Sequence, residues 1–129
     1  MPLLNAIGIV ASDMGKSIRF YRLLGLDIPD TPDEGHIDTF LPNGVRFMLD
    51  SEDVMRSFRE DWTRETGNQL GLALECASPA EVDETYARAT GEGFQGEKEP
   101  WDAFWGQRYA MLLDPDGVEV SLYAPLETS

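Results

Sequence analysis

Hydrophobic and polar positions in the first half of the chain predict elements in the order β-α-β-β, followed by a short helix. Residues 4–12 are apolar and β-branched, which predicts a strand, and residues 14–24 have an apolar side that predicts a helix. Strands are predicted at residues 36–41 and 45–50, on either side of a Pro-Asn-Gly turn. The short helix is predicted at residues 51–60.

Capping residues support these boundaries. Ser12 and Asp13 can accept hydrogen bonds from the free amides that begin the first helix, and Gly25 can end it. Ser51 can cap the short helix, and residues 61–67 are predicted to form a loop. The side chains of the short helix that we expect to face inward are Val54, Met55 and Phe58.

The second half of the chain repeats the order and adds a strand, giving β-α-β-β-β. A strand is predicted at residues 69–76 and a helix at residues 79–90, which opens with the strong start signal Ser-Pro-Ala-Glu. Residues 94–98 predict a short strand. The last two strands, residues 109–113 and 118–123, flank an Asp-Pro-Asp-Gly turn. The repeated order suggests an internal duplication within a single domain, residues 1–129, with one module at about 1–64 and the other at about 68–126.

An aromatic-rich loop is predicted between the short strand and the last two strands. It contains Trp101, Phe104 and Trp105 within five residues. Flat rings at this density form either the wall of a binding site or a packing surface, such as a dimer contact. Both interpretations remain open for Trp101 and Trp105, while Trp62, in another loop, is favoured as a packing or lid residue.

Charge and cysteine content limit the functional classes. Ten Lys and Arg against 24 Asp and Glu give a net charge of −14, which repels nucleic acids and anionic membranes and favours cationic ligands. No apolar run approaches the roughly 18 residues of a membrane span, and the first residues lack a basic secretory signal. The one cysteine, Cys76, excludes an internal disulfide and favours a cytoplasmic location.

Four segments together resemble the vicinal oxygen chelate superfamily, which includes glyoxalase I, extradiol dioxygenases and bleomycin-resistance proteins. They read LNAIGIVASDMGKSIRFYRLLGL, LPNGVRFMLD, LGLALECASPAEVDETYARATGEG and QRYAMLLDPDGVEVSLYAP. The resemblance implies an α+β fold of two βαβββ modules. Their strands would form a curved mixed sheet around a cavity, with the helices outside and a second copy of the chain completing a homodimer.

The resemblance also locates the positions at which metal-dependent members carry His or Glu ligands. Carried over one at a time, these positions are Ala6, Met48, Gly71 and Ser121. None offers an imidazole or a carboxylate, which such a metal requires, so we expect neither a metal ion nor another cofactor. Shifting the alignment by one residue does not supply a ligand.

Other chemistry has little support in the sequence. His36 is the one histidine, and a lone histidine at a strand start is usually a surface or hydrogen-bonded residue. Glu75 and Glu119 share strand parity with Gly71 and Ser121, but solvated strand carboxylates are the simpler interpretation. Cys76 is expected to be a buried strand residue rather than a nucleophile.

We therefore favour a metal-independent binding protein of the bleomycin-resistance type over an enzyme. It would sequester a planar aromatic or cationic antibiotic or natural product in an aromatic-lined dimer cavity, with no nucleic-acid or membrane partner. The alternatives are a glyoxalase- or dioxygenase-like enzyme with a noncanonical metal site, and a degenerate member that makes protein contacts. The predicted ligand-binding residues are Trp101, Phe104, Trp105, Tyr109, Met48, Arg46, Phe40, Trp62, Ser121 and Tyr123.

Overall fold

Each half of the chain builds its own β-sheet, and the chain divides accordingly into unit 1, Met1–Glu65, and unit 2, Thr66–Ser129. The computed structural model describes residues 2–64 and 70–126. Within these ranges the chain forms seven strands and three helices, and both sheets mix parallel and antiparallel pairs. The predicted α+β class is confirmed.

Unit 1 follows the β-α-β-β-α order that its sequence pattern predicts. Its sheet, sheet A, has the strand order β1-β3-β2, with β3 parallel to β1 and antiparallel to β2. Residues 24–35 form no strand, so sheet A has three strands where the resemblance implied four. The elements are β1 (Ala6–Ala11), α1 (Met14–Leu23), β2 (His36–Phe40), β3 (Arg46–Ser51) and α2 (Glu52–Phe58).

The core of unit 1 lies between α1 and one face of sheet A. Phe20 and Tyr21 are fully buried, and the Tyr21 ring centroid lies 4.9 Å from that of Phe47 on β3. The predicted cap Asp13 begins α1 by accepting a hydrogen bond from the Lys16 amide. This packing leaves the opposite face of sheet A free of α1.

Unit 2 has the predicted β-α-β-β-β order. Its sheet, sheet B, has the strand order β4-β7-β6-β5, in which β4 and β7 are parallel and the other pairs antiparallel. Ser78 caps its helix by accepting from the Glu81 amide, as the start signal predicts. The elements are β4 (Gly71–Glu75), α3 (Pro79–Gly91), β5 (Gln95–Ala103), β6 (Gln107–Leu113) and β7 (Glu119–Pro125).

The aromatic-rich segment differs from its prediction as a loop. The strand predicted at residues 94–98 continues to Ala103, so Trp101 lies on β5. Two irregularities in the pairing of β5 with β6 accommodate the extra length, and Pro100 lies within the second of them. The connection is reduced to the tight turn at residues 104–106, where Gly106 adopts a φ of 90°.

The prediction for the short helix is partly wrong. Val54 and Met55 are half-buried, but Phe58 is 66% exposed. Phe58 is the last residue of the helix. Residue 69 of the predicted strand and residues 65–67 of the predicted loop lie outside the described residues. None of the described helices is long and apolar enough to cross a membrane.

Candidate functional site

One face of sheet B packs against α3, and its other face points away from the helix. The buried residues Leu112, Val120 and Leu122 alternate with residues that point the opposite way, because side chains alternate along a strand. The strand register arranges those opposite residues in four rows. In the order β5, β6, β7, β4, the rows of this far face of sheet B are Gln95, Leu113, Glu119, Gly71; Lys98, Met111, Ser121, Ala73; Trp101, Tyr109, Tyr123, Glu75; and Ala103, Gln107, Pro125, which β4 does not reach.

The third row carries a continuous cluster of rings. The Tyr109 ring centroid lies 5.4 Å from Trp101 and 6.3 Å from Tyr123, and the two tyrosine rings stack with an interplanar angle of 26°. Trp105, in the turn between β5 and β6, lies 5.3 Å from Tyr109 and 6.0 Å from Trp101. We call Trp101, Trp105, Tyr109 and Tyr123 the aromatic wall. The structure thus brings together four of the residues predicted to bind a ligand.

The two aromatic residues of the turn have different surroundings. The Trp105 indole Nε1 donates a hydrogen bond of 2.9 Å to the Gln107 side-chain oxygen, and the residue remains 49% exposed. Phe104 is 97% exposed, and its ring lies 5.0 Å from Trp105. Trp105 is therefore an oriented ring with free surface, whereas Phe104 extends outward from the turn.

Three other predicted ligand-binding residues lie on the far face of sheet A, which is the face opposite α1. The register gives it three rows, in the order β1, β3, β2, and these rows are Ala6, Arg46, Phe40; Gly8, Met48, Asp38; and Val10, Asp50, His36. The predicted site residues Arg46, Met48 and Phe40 thus lie on one face. Phe40 is 72% exposed at the edge strand β2.

A charged network that the sequence analysis missed occupies the same face. His36 Nδ1 donates to Asp50 Oδ1 at 2.5 Å, and His36 Nε2 lies 3.4 Å from Asp38 Oδ2. The Arg46 guanidinium lies 3.7 Å from the same Asp38 oxygen. The hydrogen bond to Asp50 is the largest cause that raises the pKa of His36 above its ordinary value of 6.5, and Asp38 adds to it.

We expect the His36 network to make stability depend on pH. A raised pKa in the folded state means that the imidazolium stabilises the fold below about pH 6.5, and that this contribution is lost as the pH rises through the folded pKa. Because the His36 and Asp38 side chains are 46% and 40% exposed, solvent screens their charges and the contribution is expected to stay below about 1 kcal/mol. Urea unfolding at about pH 5.5 and about pH 9 measures it.

The matched variant is His36→Gln, which removes the titrating group. The stability advantage of the original chain over this variant should shrink from the lower to the higher pH. An advantage that stays constant or grows with pH would contradict the network.

The four carried-over metal positions do not fit a metal ion. Ala6 and Met48 lie on the far face of sheet A, and Gly71 and Ser121 on that of sheet B. No imidazole or carboxylate stands at any of them, and Ser121 is a neutral hydroxyl that is 8% exposed. No group of three or more His, Cys, Asp or Glu side chains in the described ranges could hold a metal ion.

The network around His36 does not replace the missing ligands. Asp50 contacts one ring nitrogen of His36 and Asp38 contacts the other, on the opposite edge of the ring. A single ion cannot be bound by one ring nitrogen and by both carboxylates in that arrangement. The network therefore consists of the Arg46–Asp38 ion pair and of two His36 contacts that become ion pairs when the imidazole is protonated.

Cys76 and Trp62, which the sequence also raised as candidates, have surroundings that suggest structural roles. Cys76 is buried, and this burial is the main cause that raises the pKa of its thiol to about 11, so the thiolate that a nucleophile requires is scarce. The predicted site residue Trp62 lies near two guanidinium groups, 5.3 Å from Arg56 and 5.7 Å from Arg64. Both of these arginines belong to unit 1.

The sequence of this chain matches a known family over most of its length. Residues 3–122 match the profile of the Glyoxalase/Bleomycin resistance protein/Dioxygenase superfamily. The chain belongs to this superfamily. The resemblance stated from the four sequence segments is thereby confirmed.

Solved structures of this superfamily share the fold. A glyoxalase/bleomycin resistance protein/dioxygenase from Nocardioides is 26% identical with a TM-score of 0.75, and the match covers 100% of this chain and 87% of that one. A glyoxalase/bleomycin resistance protein/dioxygenase family enzyme from Burkholderia phytofirmans is 16% identical with a TM-score of 0.81, covering 95% and 98%. A glyoxalase-related enzyme from Fulvimarina pelagi is 18% identical with a TM-score of 0.80, covering 96% and 88%. A search among curated proteins found no match.

Membership of the glyoxalase/bleomycin resistance/dioxygenase superfamily covers both binding proteins and enzymes. The choice between them for this chain depends on its own side chains. Those side chains form an aromatic wall on sheet B and leave the four carried-over metal positions without ligands.

Proposed function

We propose that this superfamily member is a metal-independent binding protein that sequesters a planar aromatic small molecule, as bleomycin-resistance proteins do. The aromatic wall on the far face of sheet B is the proposed contact surface. The observation that carries the proposal is the cluster of Trp101, Trp105, Tyr109 and Tyr123, whose centroids lie 5.3–6.3 Å from their nearest partners.

The geometry of the wall suits a flat ligand. Tyr109 and Tyr123 lie nearly parallel, while Trp101 and Trp105 stand at steep angles to each other and to Tyr109. A planar ring system can stack on one face and meet other rings edge to face, and each such contact contributes about 0.5–1.5 kcal/mol beyond the buried area. Trp105 is held by Gln107, so little conformational entropy is lost when a ligand binds it.

The residues at the metal positions support binding without chemistry. An enzyme of the glyoxalase or dioxygenase kind needs side chains that hold a metal, and Ala6, Met48, Gly71 and Ser121 do not supply them. On sheet A, Met48 instead offers a flexible apolar side chain beside Gly8, whose added Cβ would lie 3.4 Å from the Met48 methyl. A thioether side chain can adapt to the shape of a ligand but supplies no carboxylate or imidazole to a metal.

The proposed binding form is a homodimer in the cytoplasm. Large apolar side chains are exposed in both units, and a second copy of the chain would cover part of this surface. Light scattering of the purified protein checks this part of the proposal. These exposed residues include Leu3, Leu4, Phe40, Phe58, Leu70 and Phe104.

Tryptophan fluorescence titration tests the proposal. Planar compounds such as naphthamide, together with larger flat heteroaromatic antibiotics, are expected to quench or shift the emission in a saturable way, because stacking on Trp101 and Trp105 changes the surroundings of both indoles. Cyclohexanecarboxamide is the matched control, since it carries the same amide on a ring without a π-face. No saturable change with any planar compound, or an equal response to the cyclohexane control, would contradict the proposal.

A further inference from the structure

We infer that Lys98 makes the aromatic wall selective for planar aromatic compounds that carry an anionic group, such as a carboxylate. This inference rests on the proposed function and specifies its ligand class. It replaces the cationic ligand expected from net charge with an anionic one. The observation that carries it is the position of the Lys98 ammonium, with Nζ 4.0 Å from the Trp101 ring centroid.

Irregular strand pairing brings Lys98 and Trp101 to the same face. In a regular strand, residues three apart point to opposite faces. Here the register shifts between Lys98 and Trp101, so Lys98 pairs with Met111 and Trp101 with Tyr109. The lysine therefore stands one row from the rings of the wall and reaches over one of them.

Lys98 is the one cationic residue among the fifteen that the register places on the far face of sheet B. The other described cations of unit 2 lie elsewhere. Arg108 donates to Asp83 on α3 and to Asp102, and Arg88 lies in the last turn of α3. Of the described cations of unit 2, Lys98 is thus the one placed to meet a ligand on the wall.

The ammonium of Lys98 is available to a ligand. Within the described residues, the ammonium contacts the Trp101 ring, and no carboxylate forms an ion pair with it. A ring face accepts no conventional hydrogen bond, so the three N–H donors can be offered to a carboxylate at the edge of a stacked ligand. A cationic ligand at the same place would instead be repelled by the Lys98 ammonium.

The two carboxylates of the far face, Glu75 and Glu119, lie farther from the Trp101 ring than Lys98 does, since Glu119 is two strands and two rows away from Trp101. Glu75 lies in the same row as Trp101 but three strands away, which is roughly 14 Å at the usual strand spacing. Charges separated by more than the Debye length, about 8 Å at physiological salt, are largely screened. Among the charged residues of the far face, Lys98 is therefore the one nearest to the Trp101 ring.

Calorimetric titration with three matched naphthalene compounds tests the inference. Naphthoate, naphthamide and naphthylmethylammonium differ at one substituent and are anionic, neutral and cationic. The original chain should bind naphthoate roughly tenfold more tightly than naphthamide, because a hydrogen-bonded ion pair adds to the stacking. Lys98→Met should remove that preference and leave naphthamide binding within about twofold, since methionine keeps an unbranched side chain without its charge.

Two further variants test whether the preference for naphthoate depends on a positive charge at position 98. Lys98→Arg should keep the preference for naphthoate, and so should Arg88→Met, which removes a positive charge of unit 2 away from the far face. Equal binding of naphthoate and naphthamide by the original chain, or an unchanged preference in Lys98→Met, would overturn the inference while leaving the proposed function intact. Failure of all three compounds to bind would overturn the proposed function and this inference with it.

Discussion

Replacing Asp114 by alanine is expected to destabilise the protein by about 2–4 kcal/mol, because two backbone amides lose their acceptor. Asp114 is 4% exposed, and its Oδ1 accepts hydrogen bonds of 2.8 Å from the Asp116 amide and 2.9 Å from the Val118 amide. These bonds hold the turn that joins β6 to β7, the strands that carry Tyr109 and Tyr123. Urea unfolding of the variant measures the loss.

The control for this change is Asp114→Asn. Asparagine keeps one side-chain oxygen that can accept from the same amides, so we expect it to restore most of the lost stability. An Asp114→Ala variant as stable as the original chain would show that the two amides find other partners. The turn would then not depend on this carboxylate.

Replacing Trp105 by alanine is expected to weaken binding of a planar ligand by about 1–3 kcal/mol, which is roughly a 5- to 150-fold rise in Kd. Trp105 is an oriented ring with about half of its surface free, so it can stack without first being ordered. Its place in a turn means that the variant should fold with little loss of stability. Calorimetric titration with naphthamide measures the change.

Phe104→Ala provides a matched comparison in the same turn. Phe104 is 97% exposed and lies outside the aromatic wall, so its removal should change the Kd by less than about threefold. If Trp105→Ala leaves binding intact but changes the association state, Trp105 is a dimer contact. Equal losses in the two variants would mean that the exposed edge of the turn, and not the wall, contacts the ligand.

Local signals in the sequence were sufficient to predict most of the fold. The caps of all three helices, Asp13, Ser51 and Ser78, act as their chemistry predicts, since each accepts from an amide of its first turn. The order of the strands along the chain also followed from the alternation of apolar and polar residues and from the turn residues. These signals are local, and they work because caps and turns are decided by residues only a few positions apart.

The environment of Trp101 could not be predicted in the same way. Pairing irregularities of β5 change which face a residue occupies, and nothing in a single sequence fixes where they fall. Gly96 offers a partial signal, because a Cβ there would collide with the Tyr86 side chain of α3. The contact between Lys98 and Trp101 depends on this irregular geometry and was therefore missed.

The His36 network was predictable in principle. The turn at residues 42–44 fixes the register of β2 against β3, and counting outward from it places His36 opposite Asp50 and Asp38 opposite Met48. His36 is the one histidine of the sequence, and its carboxylate neighbours become evident only when residues are paired across the hairpin. Counting residue pairs outward from the tight hairpin turn shows that carboxylates lie next to His36.

The central claim is that the aromatic wall binds a planar ligand, and nitrogen–proton correlation NMR of the indole groups tests it most directly. The three tryptophans give separate indole signals, and Trp62, covered by Arg56 and Arg64, serves as the internal reference. On titration with naphthoate we predict saturable shifts of the Trp101 and Trp105 signals and an unchanged Trp62 signal. Shifts confined to Trp62, or no saturable shift of any indole, would contradict the claim.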